Sequence, residues 1–90
     1  MSVAAVKIKI MPDSPETDIK ALEKSVKNIL EKQAVKNPVF EIHPIAFGLK
    51  ALIVLFGWPE EKPLEGLEEK LRKIKEVSSV QVIDIRRAIG

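Results

Sequence analysis

Leu49-Lys50-Ala51-Leu52-Ile53-Val54-Leu55-Phe56 is apolar at every position except Lys50. A continuous apolar run of this length reads as a strand buried in the centre of a sheet. Just upstream, Val39 to His43 reads as another strand, opening directly after Pro38. The link between the two is Pro44-Ile45-Ala46-Phe47-Gly48. Hairpin links are normally polar and rich in turn residues. This one carries Ile45 and Phe47, with Pro44 stiffening the entry and Gly48 freeing the backbone behind the ring.

Towards the N-terminus, Val3 to Met11 alternates. Val6, Ile8 and Ile10 share one face and Lys7 and Lys9 the other, the pattern of a half-buried strand. Pro12-Asp13-Ser14-Pro15 ends it. Thr17 or Asp18 then offers a helix cap, because a short side-chain oxygen can accept a free backbone N–H. Ile19, Leu22, Val26, Ile29 and Leu30 recur at helical spacing, so the helix runs to about Gln33.

Towards the C-terminus, Trp58-Pro59-Glu60-Glu61-Lys62-Pro63 breaks the chain. Leu64, Leu67, Leu71 and Ile74 define a second helix, with Pro63 near its start and Glu65, Glu68 and Glu69 early, where the helix dipole favours acids. Val80 to Ile85 is a fourth strand of imperfect alternation. Val80 and Val82 share one parity, Ile83 and Ile85 the other; a bulge or burial on both faces accounts for it.

The order is βαββαβ. That is an α+β, ferredoxin-like arrangement: a four-stranded antiparallel sheet with two helices on one face. Strands one and three are central in it, which suits the apolar run. The other sheet face is left uncovered by the chain. Lys7, Lys9 and Lys50 are expected there, among smaller apolar residues.

Composition narrows the function. Ninety residues make one domain, spanning 1–90. Lys plus Arg number 15 and Asp plus Glu 13, a net charge of +2. The signs are interspersed, so a dedicated nucleic-acid binder is not expected. Cysteine is absent, which suits a reducing cytosol. The apolar stretch Ala51 to Phe56 falls far short of the ~20 residues of a membrane helix. Met1-Ser2-Val3 lacks the features of a signal peptide, so a cytoplasmic protein is expected. Asn, Gln and Cys are scarce while Glu and Lys abound, a lean shared with hyperthermophile proteins.

The inventory for chemistry is thin. There is one histidine, His43, read as a strand-end residue. No serine is joined to it by a nucleophile motif. No phosphate loop exists among the dispersed glycines, and no set of metal-ligating residues is marked. No catalytic residue, cofactor or metal is therefore expected. Phe47 either anchors on a partner, as a rigid aromatic suits an interface hot spot, or folds back over its own core. The residues alone leave both open. Arg86-Arg87 is either a solvated tail or a grip on a partner's phosphate or carboxylate. Trp58 reads as a cap on one end of the core. An RNA-recognition motif shares the topology but stacks bases on aromatics that the central strands here lack. An acylphosphatase-like enzyme would need a phosphate-binding loop with an Arg and a catalytic Asn, and Asn28 and Asn37 fall in the first helix and at its exit. A small-molecule-binding regulatory module of this fold is the remaining alternative.

Three stretches carry a resemblance: Met11-Pro12-Asp13-Ser14-Pro15 after the first strand, Pro44 to Leu52 at the hairpin, and Val77-Ser78-Ser79-Val80 through Asp84-Ile85-Arg86-Arg87. Together, in order and across nearly the whole chain, they resemble the archaeal elongation factor 1-beta family. The resemblance implies a guanine nucleotide exchange factor without bond chemistry of its own. Its partner would be elongation factor 1-alpha, from which it loosens GDP and magnesium. It also implies that Phe47 is a wedge into the GTPase. Eukaryotic relatives add a lysine near the extreme C-terminus that disturbs magnesium; its place aligns near Gly90 here. Either Arg86 or Arg87 takes over part of its role, or magnesium is displaced indirectly. The contact residues implied are Met11, Pro12, Asp13, Ile45, Ala46, Phe47, Gly48, Lys50, Arg86 and Arg87, on a protein that is a monomer when free. In the βαββαβ topology the hairpin and the Met11–Pro15 turn share one end of the sheet, and the C-terminus lies at the other. A two-point grip on the GTPase is therefore expected.

Overall fold

A computed structural model describes residues 3–87. Strand β1 spans Val3–Pro12, helix α1 Ile19–Lys32, β2 Val39–Pro44, β3 Lys50–Pro59, α2 Glu65–Arg72 and β4 Val77–Arg87. The four strands form one sheet in the order β2-β3-β1-β4, every neighbouring pair antiparallel. This is the expected ferredoxin-like fold with β1 and β3 central.

The alternation in β1 places Ala4, Val6, Ile8 and Ile10 in the core, facing Trp58, Phe56, Val54 and Leu52 of β3 in register. Leu22, Val26 and Leu30 of α1, and Leu67 and Leu71 of α2, close that core from above. Each such side chain contributes roughly 1.5–3 kcal/mol by leaving water. Ala51 and Ile53 are buried too, although they lie on the opposite face of β3 and outside the core cluster. Lys9 and Glu41 flank Ile53 in register, and His43 flanks Ala51. Long side chains with apolar stems can cover such positions while their heads stay in water.

Two expectations are settled locally. Asp18 caps α1: its carboxylate accepts from the backbone N–H groups of Lys20 at 3.1 Å and Ala21 at 3.2 Å. The odd alternation of β4 is a bulge. The β1–β4 register steps from Lys7↔Asp84 to Ile8↔Val82, so Ile83 is the extra residue. One added residue inverts the parity beyond it, which puts Val80, Val82 and Ile85 opposite core-facing β1 residues.

One expectation is corrected. Lys7 and Lys9 do lie on the uncovered face, but Lys50 does not. It precedes Leu52 by two positions, and a period of two puts both on the helix side. Lys50 is nevertheless exposed, because it stands at the strand's end.

Helix α1 closes in a Schellman motif. The N–H of Ala34 donates to the carbonyl of Glu31, and that of Val35 to the carbonyl of Leu30, each at 3.0 Å. The motif requires a left-handed residue, and Ala34 takes it at φ 66°, where glycine is the unstrained choice. Ala34→Gly is expected to stabilise the domain by about 1 kcal/mol, raising the melting temperature by roughly 4–8 °C. Thermal melts of the two proteins side by side check it.

Candidate partner-binding site

Phe47 sits at the apex of the β2–β3 hairpin. Ala46 to Leu49 is a four-residue turn whose Leu49 N–H donates to the Ala46 carbonyl at 3.3 Å. The two central residues both have positive φ, 63° at Phe47 and 77° at Gly48. That is the type I′ geometry, whose twist matches a hairpin and which strongly prefers Asn-Gly. Gly48 fits without strain. Phe47 does not: a bulky residue in the left-handed region is an outlier. Beneath the turn, Ile45 N–H donates to the Leu49 carbonyl at 2.7 Å and extends the ladder, so the apex stands on a hydrogen-bonded base.

The ring of Phe47 is 93% exposed. It does not fold back over the core, which settles one of the two readings the residues left open. A strained backbone that holds an aromatic in water has no folding benefit to explain it, and such strain concentrates at binding and catalytic sites.

The Met11–Pro15 turn stands beside the hairpin. A Cβ on Gly48 would lie 3.7 Å from the Cβ of Pro15. That spacing is ordinary contact, so positive φ, not crowding, is what favours glycine at position 48. Asp13 is exposed, its backbone N–H donating to the Glu76 carbonyl at 2.9 Å. Its carboxylate accepts from the Thr17 hydroxyl at 3.3 Å. Met11 is half-buried on the uncovered sheet face. Pro12 is buried, so it shapes the turn and offers no surface of its own. Ile45 is half-buried, while Ala46, Gly48 and Lys50 are exposed. Met11, Asp13, Ile45, Ala46, Phe47, Gly48 and Lys50 thus gather at one end of the sheet.

Arg86 and Arg87 do not join them. They pair with Ala5 and Ala4 at the start of β1, whereas Met11 pairs with Ser79 near the other end of β4. Seven residues of strand, from Ala4 to Met11, set the two ends about 24 Å apart at ~3.4 Å per residue. Arg86 reaches Asp84 at 3.0 Å and Arg87 reaches Glu60 at 3.8 Å, yet both guanidinium side chains stay over 80% exposed. Gly90, the place of the eukaryotic lysine, lies outside the described residues.

Trp58 is 3% exposed and belongs to the core cluster, as expected of a cap on its end. His43 is exposed and lies 2.9 Å from Glu41 on the same strand. Residues 46–48 and 86–87 supply no general base, and among the described residues no group of three or more potential metal ligands gathers. None of the helices described is long and apolar enough to cross a membrane.

Comparison with known proteins identifies the family. Residues 5–88 match the family described as the EF-1 guanine nucleotide exchange domain. The chain is 43% identical over 88 residues to elongation factor 1-beta of Methanosarcina barkeri, covering 97% of this chain and 99% of that one. It is 38% identical over 89 residues to elongation factor 1-beta of Methanocaldococcus jannaschii, covering 98% and 100%. Two solved structures share the fold at 16% identity. The ACT domain of a GTP pyrophosphokinase from Chlorobium tepidum has a TM-score of 0.59 over 88% of this chain and 96% of that one. BlrP1 BLUF has a TM-score of 0.60 over 100% and 57%. Those two show architecture alone. The family match supports nucleotide exchange in translation elongation and overturns the regulatory-module alternative. By sequence across nearly its full length, the chain belongs to the EF-1 guanine nucleotide exchange domain family.

Proposed function

We propose that the chain exchanges GDP for GTP on elongation factor 1-alpha by a two-ended grip, with Phe47 as its wedge. The observation that carries the residue assignment is Phe47 itself, 93% exposed on a left-handed turn. The pair Arg86 and Arg87, on the far end of the sheet, supplies the second contact, through guanidinium groups suited to carboxylate or phosphate. Met11, Asp13 and Lys50 widen the first contact around the wedge.

The mechanism is linkage. A factor that binds the nucleotide-free GTPase more tightly than the GDP-bound one must weaken GDP by the same free energy. Accelerating release ~1,000-fold lowers its barrier by about 4 kcal/mol. A buried aromatic anchor and a few charge contacts are of that size at protein interfaces. In this reading no bond is made or broken, so exchange needs no cofactor, and the cytoplasm, where translation runs, is its proposed setting.

The test is release of a fluorescent GDP analogue from archaeal elongation factor 1-alpha, chased with excess GTP. Catalytic amounts of this protein are expected to raise the rate by orders of magnitude. The double variant Arg86→Ala, Arg87→Ala is expected to lose part of that gain and much of its salt dependence. An unchanged release rate with the wild-type protein rejects the function; an unchanged salt dependence in the double variant rejects the second contact alone.

A further inference from the structure

The two edges of the sheet are unlike. The pairing of β4 with β1 carries register shifts at Lys7/Ile8 and Met11/Pro12, and bulges of this kind bend and twist the strand and blunt its open side against further pairing. Strand β2 pairs with β3 in unbroken register from Val39↔Leu55 to Pro44↔Lys50. Its other side is the end of the sheet. Two of its apolar residues are exposed, Val39 at 56% and Ile42 at 44%.

The ladder shows which groups face outward. Ile45 donates to Leu49, on the register that continues Pro44↔Lys50. Antiparallel pairs alternate between hydrogen-bonded and non-hydrogen-bonded. Val39, Glu41 and His43 therefore turn their backbone groups to β3, while Phe40, Ile42 and Pro44 turn theirs to the open edge. Pro44, which has no N–H, stands where no donor is needed for β3.

We propose that this edge pairs with the β2 edge of a second copy, antiparallel, with Ile42 opposite Ile42 on a two-fold axis. In that register the two Ile42 residues exchange backbone hydrogen bonds, and each Phe40 N–H meets the carbonyl of Pro44 in the other copy. Glu41 of each copy lies opposite His43 of the other on the uncovered face, so the 2.9 Å Glu41–His43 pair within one strand gains a reciprocal partner across the axis. Shifting the strands by one pairing step either way sets Glu41 against Glu41, where two carboxylates directly opposite are unfavourable, or His43 against His43, where each imidazole loses its carboxylate partner across the axis. The sequence of β2 is thus self-complementary in one register. Both Phe47 turns fall beyond the ends of the joined strands. Stable complexes enlist about 20–30 residues a side, and β2 supplies six, so the dimer is weak and forms at high concentration.

The chain has no cysteine, so single-cysteine variants give clean cross-linking. Residues directly opposite in a hydrogen-bonded antiparallel pair have Cα atoms about 5.5 Å apart, inside the ~4.4–6.8 Å that a disulfide spans. Position 41 faces position 43 of the other copy, which sets the two introduced thiols of the Glu41→Cys variant on Cα atoms beyond the ~7 Å limit. Oxidised at high concentration, Ile42→Cys is expected to form covalent dimer at least ten times faster than Glu41→Cys. Sedimentation equilibrium is expected to show the wild type dimerising at several hundred micromolar and Ile42→Lys remaining monomeric. Equal cross-linking rates, or faster linking of Glu41→Cys, overturn the register. A wild type that stays monomeric up to about 1 mM, the range of the weakest specific associations, overturns the proposal.

Discussion

Phe47→Ala is expected to slow stimulated GDP release by roughly 30- to 1,000-fold, the equivalent of about 2–4 kcal/mol at an interface hot spot. The same change is expected to leave the melting temperature within a few degrees of wild type. The two halves of the prediction have different causes. The ring is 93% exposed, so removing it opens no cavity and forfeits no core contact. The backbone at φ 63° remains strained in the variant, because alanine also carries a Cβ. Phe47→Asn separates the effects further. Asparagine tolerates the left-handed region and favours the type I′ turn, so this variant is expected to melt higher than wild type by about 1 kcal/mol of stability. It should be as defective in exchange as Phe47→Ala. Stopped-flow release of a fluorescent GDP analogue and thermal melts of the three proteins measure both. If Phe47→Asn melts higher and still exchanges at the wild-type rate, the strain is real but the wedge is not.

That contrast marks what the residues could and could not disclose. Hydrophobic period is a local property, and it was enough to place β1, α1, β3 and α2 and to order them. The bulge at Ile83 was visible only as a broken alternation at Val82-Ile83. A break says that parity inverts or that both faces are buried; the register with β1 decides between them. Lys50 was assigned to the wrong face even though counting by two from Leu52 places it correctly. Charge alone was the misleading signal, since a lysine at a strand end is exposed on either face. The exposure of Phe47 was beyond reach, because an aromatic in a loop folds inward or outward according to a few backbone angles. One signal was present all the same: the link between the strands has Phe47 before Gly48, where a residue that tolerates positive φ, such as Asn, is the unstrained choice. A turn residue replaced by an aromatic at an apex is a local choice that disagrees with the fold, and such disagreements mark functional positions. The separation of Arg86 and Arg87 from the hairpin followed from topology, since the number of strand crossings sets the end at which each loop emerges.

Trp58 carries the largest expected effect on stability. It is 3% exposed. Its Nε1–H donates to the Lys62 carbonyl at 2.8 Å. The Lys62 ammonium lies 4.5 Å from the ring centroid, and Phe56 meets the indole edge-on at 5.9 Å. Trp58→Ala removes a large buried body at the end of the sheet and leaves a cavity that the strands cannot collapse to fill. The expected cost is about 3–5 kcal/mol. Against the roughly 5–13 kcal/mol of a domain this size, that is a large share, and the melting temperature should fall by about 12–40 °C. Trp58→Phe keeps most of the apolar contact and loses the indole hydrogen bond. It should cost less, near the ~1 kcal/mol of one such bond plus a partial cavity. The functional consequence is the reverse of that at Phe47. Trp58 lines a cleft with Ala4, Glu60, Ile85 and Arg87, at the end of the sheet that bears the arginine pair. The hairpin is built on a separate hydrogen-bonded base at the opposite end. Below its melting temperature, Trp58→Phe should therefore retain most exchange activity while Phe47→Ala, fully folded, loses it. A Trp58→Ala protein that melts with the wild type would mean that the core does not depend on its cap. A Trp58→Phe protein as inactive as Phe47→Ala would mean that the two ends of the sheet do not act independently.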